Sequence, residues 1–340
     1  MNQIKIGILG ATAYTGLELI KILSRHPNAE IAFVSSRSYA GKKFCEVFPE
    51  MFQIWDGELI SPQEAVSQKV DCVFSCLPHG VSAPLCVPFL DAGARVIDLS
   101  ADFRLHDAQV YESWYKTKHP RPELLSEAVF GLPEFYREQI REARILANPG
   151  CYPTSILLPL IPLLKDEGVS ITQIIADSKS GVSGAGRALK LPSHFVEANE
   201  NFSAYSIGRA HRHIAEIDQE LSAAAGQDIS ITFSPHLVPM NRGILSTIYL
   251  NVNRTAAQCL ETAKAAYEKE PFVRVREPGD LPKVRGVSGT NFCDLTFAGG
   301  DHGRPVLAVS TIDNLLKGAS GQAVQNLNIM FGFDETLALI

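Results

Sequence analysis

The fold is decided by Ile4-Lys5-Ile6-Gly7-Ile8-Leu9-Gly10-Ala11-Thr12-Ala13-Tyr14-Thr15-Gly16. A run of strand character enters a turn of small residues. Gly16 then opens an amphipathic stretch to Arg25, with Leu17, Leu19, Ile20, Ile22 and Leu23 on one apolar face. Strand, tight turn and helix in this order let backbone amides approach a pyrophosphate at the helix N-terminus. The spacing Gly10…Ala13…Gly16 is a loose GxxGxxG with Ala in the middle slot, tolerable if Ala13 avoids positive φ. The same turn would serve a tight strand-to-helix connection with no ligand, so context has to decide.

A second strand ends at Ser35-Ser36-Arg37-Ser38, where a ribose 2′-hydroxyl calls for an acid. None is there. Arg37 instead suits a 2′-phosphate through forked, charge-assisted bonds, so the pattern favours NADP over NAD.

Outward from that turn, strand-like runs alternate with helical patterns: Ile31 to Val34, Val70 to Leu77, Val96 to Leu99 and Arg144 to Ala147. Alternation of this kind predicts an α/β fold with a Rossmann-type parallel sheet. From about Ile171 the runs become β-rich: Ile171 to Asp177, Ile229 to Phe233, Ile244 to Val252, Phe272 to Arg276, Asn291 to Phe297 and Val306 to Ile312. With helical stretches near Ile214 to Ala225 and Ala256 to Lys269, they predict a mixed α+β domain with a largely antiparallel sheet. The expected division is 1–148 for the nucleotide domain, with a C-terminal helix about 314–340 packing back on it, and 149–313 for a catalytic and oligomerisation domain.

At 340 residues and 46% hydrophobic, the chain can bury two cores. A formal charge of −6 with no long Lys/Arg run argues against nucleic acid and against an anionic membrane surface. No apolar stretch is long enough to span a bilayer. The first nine residues read as a strand rather than a signal peptide, and the expected location is cytoplasmic. Seven scattered cysteines suggest neither a disulfide framework nor a zinc site, so no metal is expected.

One cysteine stands apart. Asn148-Pro149-Gly150-Cys151-Tyr152-Pro153-Thr154 sets Cys151 just before a helix start, where amides and the helix dipole favour the thiolate. Pro153 suits a first turn, Thr154 or Ser155 is the expected cap, and Pro159 and Pro162 predict a kinked or split helix. His211 and His213 are the candidate acid/base pair; two apart, they cannot share a direction if the segment is helical. The residues do not choose between them, with a slight lean to His213.

Together with Leu77-Pro78-His79-Gly80, Asp98-Leu99-Ser100-Ala101-Asp102-Phe103-Arg104, Gly131-Leu132-Pro133-Glu134, Ser180-Gly181-Val182-Ser183-Gly184-Ala185-Gly186-Arg187, His211-Arg212-His213, Pro235-His236-Leu237-Val238-Pro239-Met240 and Lys317-Gly318-Ala319-Ser320-Gly321-Gln322-Ala323, these motifs closely resemble the N-acetyl-γ-glutamyl-phosphate reductase family. The chain also resembles aspartate-semialdehyde dehydrogenase in architecture. The resemblance implies NADPH-dependent reduction of a small acyl phosphate, N-acetyl-γ-glutamyl phosphate, to N-acetylglutamate semialdehyde and phosphate in arginine biosynthesis. It implies a thioester on Cys151, and a homo-oligomer, homotetramer or homodimer.

The expected cofactor contacts are Gly10, Thr12, Ala13, Tyr14, Thr15 and Gly16 at the turn, Ser35 and Arg37 beyond the second strand, and Pro78, Ser183 and Gly184. Arg104, Asn148, Ser180 and Arg187 are the expected substrate contacts, with Arg209 and Arg212 as further anion partners and Ser180 to Gly186 as an amide-rich anion loop. Rival readings are the homologous aminoadipate-pathway reductase, one methylene longer in substrate, and a non-catalytic NADP-binding protein.

Overall fold

The computed structural model describes residues 3–340. The chain divides into two compact units, Met1–Pro149 with Ala319–Ile340, and Gly150–Gly318.

In the first unit, β1 (Ile4–Leu9), β2 (Ala29–Ser35), β3 (Leu59–Ile60), β4 (Cys72–Ser75), β5 (Arg95–Asp98), β6 (Ala128–Phe130) and β7 (Ile145–Ala147) form one sheet in the order β3-β2-β1-β4-β5-β7-β6. Every pair in it is parallel. Its strands are buried apolar runs, as both-face coverage requires. Helices α1 (Tyr14–Leu23), α2 (Ser82–Asp91), α3 (Ala108–Tyr115) and α4 (Pro133–Glu142) connect them. The strand order reverses between β1 and β4, which opens a crevice at the carboxyl ends of those two strands.

In the second unit, α5 (Cys151–Lys165), α6 (His213–Ala225) and α7 (Ala256–Tyr267) accompany seven strands. These are β8 (Ile171–Gly181), β9 (Ser203–Ala204), β10 (Thr232–Val238), β11 (Ile244–Val252), β12 (Val273–Val275), β13 (Cys293–Gly299) and β14 (Val306–Ile312), in the order β12-β13-β14-β11-β8-β10-β9. The sheet is mixed: β8 pairs β10, and β12 pairs β13, in parallel, while the other four pairs are antiparallel. The sequence pattern put a strand at Ile229 to Phe233; the observed β10 runs further, through Pro235 and His236.

Two expectations at α5 are corrected. The helix begins at Cys151 itself, with Gly150 at the N-cap, so Thr154 and Ser155 lie inside it. Of the expected kink or split at Pro159 and Pro162, the split is corrected: the segment runs as one 15-residue helix. Each proline leaves the carbonyl four residues back without its helical donor. Those orphans are satisfied from outside the helix: Ser310 Oγ donates to Ser155 O at 2.5 Å, and Tyr267 Oη donates to Leu158 O.

The last helix, α8, is also shorter than expected. It spans Gly321–Met330, behind a wide π-type turn at Leu316–Ser320. Alpha8 belongs to the first unit, against α1 and α4. Its buried polar residues are matched there: His26 Nε2 pairs with Asn328 Oδ1 at 2.9 Å, and Asn326 Nδ2 donates to Gly131 O at 2.9 Å. None of the described helices is long and apolar enough to cross a membrane.

Candidate active site

The glycine-rich turn of the first unit has the backbone a pyrophosphate needs. Gly10 has φ +72°, and a Cβ there would lie 2.9 Å from Cys76 O, so the position demands glycine twice over. Gly16 lets α1 close onto the turn, since a Cβ would stand 2.4 Å from Ala11 O. Ala13, at the N-cap of α1, has φ −71°, so its methyl group carries no conformational penalty. No side chain caps α1, and the amides of Tyr14, Thr15 and Gly16 have no intrahelical acceptor. An uncapped helix start of this kind is a ready anion site. Thr12 Oγ1 lies 3.1 Å from Ser36 Oγ, tying the turn to the end of β2. Ser35 is buried and accepts Ala11 N–H through its carbonyl. Arg37, two residues further, is exposed.

Across the crevice, the Pro78 loop is held by two buried carboxylates that sequence reasoning passed over. Asp102 accepts Gly80 N–H at 2.6 Å, Ala83 N–H at 3.0 Å and Tyr111 Oη at 2.7 Å. Asp98 accepts Ser82 Oγ at 2.5 Å and Ser100 Oγ at 2.7 Å. Burial, and then the charge of Asp102, push Asp98 up to about 6, against the bonds from Ser100 and Ser82.

Two expected substrate contacts are corrected here. Arg104 is buried, with Nε donating to Asn148 O at 2.8 Å and Nη2 to Leu99 O at 2.7 Å. Asn148 is fully enclosed: Nδ2 donates to Ala319 O at 3.1 Å, and Oδ1 accepts from Asn326 Nδ2 at 3.2 Å. Both brace the ends of β5 and β7 within the first unit, because buried polar groups must be paired.

The thiol of Cys151 sits at the first position of α5, half-buried. Thr154 N–H and Oγ1 both donate to Gly150 O at 3.0 Å, closing the first turn. Glu216 Oε1, on α6, accepts Gly150 N–H at 2.8 Å and so clamps the N-cap. Four of the other cysteines are governed by burial. Burial raises Cys76 to about 12 and Cys259 to about 11, and pushes Cys72 and Cys86 higher still. Thiols so placed stay protonated and inert.

His213 opens α6, and His211 lies in the preceding turn. Because that turn is not helical, the two rings face the same way after all, 4.9 Å apart and each edge-on to Tyr152 at 5.5 and 6.0 Å. His211 Nδ1 accepts His213 N–H at 3.1 Å. Burial, with Arg212 adding to it, lowers His211 to about 4, so it is neutral at ordinary pH. Tyr152 Oη and Tyr205 Oη share a hydrogen bond of 2.9 Å; burial holds Tyr205 near 12 and Tyr152 higher. Neither tyrosine was singled out from sequence, although Tyr152 is adjacent to Cys151.

The segment after β8 is only partly as expected. The amides of Gly181, Val182 and Ser183 donate to Gly243 O, Met240 O and Asn241 O at 2.9 Å each, and Gly186 N–H donates to Ser183 O at 3.1 Å. An amide-rich anion loop over Ser180 to Gly186 is therefore overturned: strand-like pairing consumes most of its donors. Ser180 is buried, its Oγ donating to Gly181 O at 3.0 Å, and Ser183 Oγ accepts from Asn314 Nδ2 at 3.0 Å. A Cβ on Gly184 would come 2.9 Å from Ser180 Oγ. Ser183 and Gly184 belong to the second unit, Gly10 to Gly16 and Pro78 to the first. Arg209 is held by Asp218 at 2.6 Å and Ser230 Oγ at 2.7 Å. Arg187 is half-buried and Arg212 exposed, both on the second unit.

Comparison with known proteins shows the family. Residues 5–143 match the family described as semialdehyde dehydrogenase, NAD binding domain, and 151–314 match semialdehyde dehydrogenase, dimerisation domain. The chain is 51% identical over 340 residues to an N-acetyl-γ-glutamyl-phosphate reductase of Alkaliphilus metalliredigens, covering 99% of this chain and 98% of that one. It is 49% identical over 341 residues to the same-named protein of Symbiobacterium thermophilum, covering 99% and 97%. Among solved structures it is similar in fold to aspartate semialdehyde dehydrogenase II of Vibrio cholerae, with TM-score 0.75 at 19% identity over 98% of this chain and 99% of that one. The Candida albicans aspartate semialdehyde dehydrogenase with NADP gives 0.70 at 17% identity, covering 97% and 99%.

Proposed function

The chain belongs to the N-acetyl-γ-glutamyl-phosphate reductases of the semialdehyde dehydrogenase family, and from that membership we propose that it reduces N-acetyl-γ-glutamyl phosphate to N-acetylglutamate 5-semialdehyde and phosphate, a step of arginine biosynthesis. The observation that carries the mechanism is Cys151 at the first position of a helix clamped by Glu216 to the helix that begins with His213.

Cys151 Sγ, favoured as thiolate by the helix start, attacks the acyl carbon; the C–S bond forms as the C–O bond to phosphate breaks, and inorganic phosphate leaves. The thioester carbonyl is a better hydride acceptor than a carboxylate, because sulfur donates little electron density to it. NADPH, when bound, supplies the hydride. His213 protonates the oxygen of the resulting thiohemiacetal and takes that proton back as the C–S bond breaks, releasing aldehyde and regenerating the thiolate. His211, neutral and with Nδ1 committed to His213 N–H, orients its neighbour rather than titrating. Arg187 and Arg212 meet the substrate's carboxylate and phosphate.

Cofactor binding falls to the first unit and catalysis with oligomerisation to the second. The uncapped start of α1, the positive φ of Gly10 and the Thr12–Ser36 link fit a pyrophosphate. Arg37, exposed and without a protein partner among the described residues, fits the 2′-phosphate of NADP. The protein works in the cytoplasm as a homo-oligomer.

The test is phosphate-dependent reduction of NADP by N-acetylglutamate semialdehyde. Wild type is active and Cys151→Ser is not. Activity retained by the serine variant rules out the thioester route, and activity only on the analogue one methylene longer moves the substrate assignment.

A further inference from the structure

After the turn that ends at Gly186, the chain of the second unit makes an excursion and returns as the two-residue edge strand β9, which pairs with β10. The excursion carries Leu189, Leu191, Phe195, Val196 and Phe202, exposed to 103%, 71%, 75%, 74% and 57%. Its local structure is one 3₁₀ turn, Leu191–Ser193, and one short helix, Phe195–Ala198. The described hydrogen bonds of residues 188–201 close within residues 185–201: Lys190 Nζ to Ala185 O, Ser193 Oγ to Lys190 O, Asn201 Nδ2 to Glu197 O, and short backbone turns. No described hydrogen bond ties residues 188–201 to the rest of their unit, and at the end of the excursion the ring of Phe202 lies 5.4 Å from that of His236 on β10. Scattered surface hydrophobes need no explanation, but five large ones within fourteen residues make a contiguous segment, and such a segment marks an interaction surface.

Charge selects the occupant. Lys190 stands at one end of the apolar run, Glu197 and Glu200 at the other. Placed antiparallel about a twofold axis, two such segments set the basic end of one over the acidic end of the other, with Phe195 and Val196 between. A nucleic acid or an anionic bilayer would call for one sign of charge, and this segment carries both. The whole segment lies inside the stretch, 151–314, that matches a dimerisation domain.

We propose that residues 188–202 form a docking arm that pairs, across a twofold axis, with the same arm of a second copy of this chain. The proposal rests on the homo-oligomer reading above and names the surface that would carry it. Its middle, near His194, lies at the axis, so the same residue of the two copies comes face to face.

Sedimentation equilibrium on the full-length protein tests it, with wild type, Phe195→Asp and Leu191→Asp compared at micromolar concentration. Both variants replace exposed side chains, and an unchanged circular dichroism spectrum identifies them as folded. The expected result is a mass at least halved in each variant. As a second measurement, His194→Cys treated with diamide forms a disulfide-linked dimer on a non-reducing gel, absent from oxidised wild type and lost again on adding Phe195→Asp. A wild type that is monomeric throughout overturns the homo-oligomer reading and the arm together. An oligomeric wild type whose folded variants keep its mass, with no crosslink at His194→Cys, overturns the arm alone.

Discussion

A Cβ built on Gly318 would lie 2.8 Å from Cβ of Cys151 and 3.1 Å from its Cα. Gly318 sits in the π-type turn Leu316–Ser320, its N–H donating to Asp313 O at 3.0 Å, and Asp313 is itself fixed by Arg242 at 2.7 Å. The turn therefore has no freedom to retreat, and a side chain at 318 moves the nucleophile. Gly318→Ala should lower kcat about 100-fold, the order expected when a reacting group is misplaced by about 1 Å. Alkylation of Cys151 by iodoacetamide should slow in parallel, while the melting transition stays cooperative. Unchanged turnover would show that the nucleophile tolerates the displacement.

The clamp between Glu216 and Gly150 gives a second expectation. Glu216→Ala leaves the buried Gly150 N–H without its acceptor, at a cost of about 1–3 kcal/mol. Glu216→Gln keeps an amide oxygen in reach and should recover most of that. Urea denaturation of the two variants checks it; equal losses would mean that the carboxylate's charge, not the hydrogen bond, is what matters.

Much of this was readable in the chain, and the gaps have physical causes. Gly10 and Gly16 announced the turn because only glycine satisfies a positive φ or so close a backbone approach. The place of Cys151 at a helix start was legible from its flanking Gly150 and Pro153. The continuity of α5 was not, because it depends on hydroxyls of Ser310 and Tyr267, more than a hundred residues away, reaching carbonyls that Pro159 and Pro162 orphan. Arg104 and Asn148 misled for a related reason. A charged or amide side chain beside a catalytic motif looks the same in sequence whether it faces a ligand or braces backbone carbonyls. The histidines converge only because His211 precedes the helix that His213 starts, a boundary that sequence locates to within a few residues at best.

The proposed contact of Arg37 with a 2′-phosphate makes a prediction about cofactor choice. Arg37→Asp removes a charge-assisted contact to the 2′-phosphate and adds a repulsive one, so KM for NADPH should rise about 10- to 100-fold. NADH has no such phosphate, and its KM should stay level or fall, since an acid there suits a free 2′-hydroxyl. Steady-state kinetics with both cofactors decides it: equal loss for both removes Arg37 from the site.

His26 makes stability depend on pH. Its Nδ1 accepts Asn28 N–H at 3.2 Å and its Nε2 faces Asn328 Oδ1, an arrangement that uses the neutral ring, and burial lowers its pKa below 6.5. The unfolded chain takes up the proton first. The stabilisation is complete above 6.5 and is lost as pH falls from there through the lower folded value. Asp98, raised to about 6, acts with the opposite sign over part of that range, so the comparison must be internal. The urea midpoint of wild type minus that of His26→Gln should shrink as pH falls below 6.5. A difference flat from pH 7.5 to 5 would show that His26 does not titrate between the two states.

Titration also separates His211 from His213. His211, near 4, is neutral across pH 5 to 9, so any acid limb of kcat/KM in that range belongs to another group. His211→Asn should lower the plateau, since the ring packs against Tyr152 and Phe233 and accepts His213 N–H, yet leave the midpoint of the acid limb where it was. With His213 as the proposed acid/base, His213→Asn should lower kcat by about 100- to 10,000-fold, the usual contribution of a positioned proton carrier. If instead the limb vanishes with His211 and survives without His213, the roles are exchanged, and the burial that lowers His211 must be relieved when substrate binds.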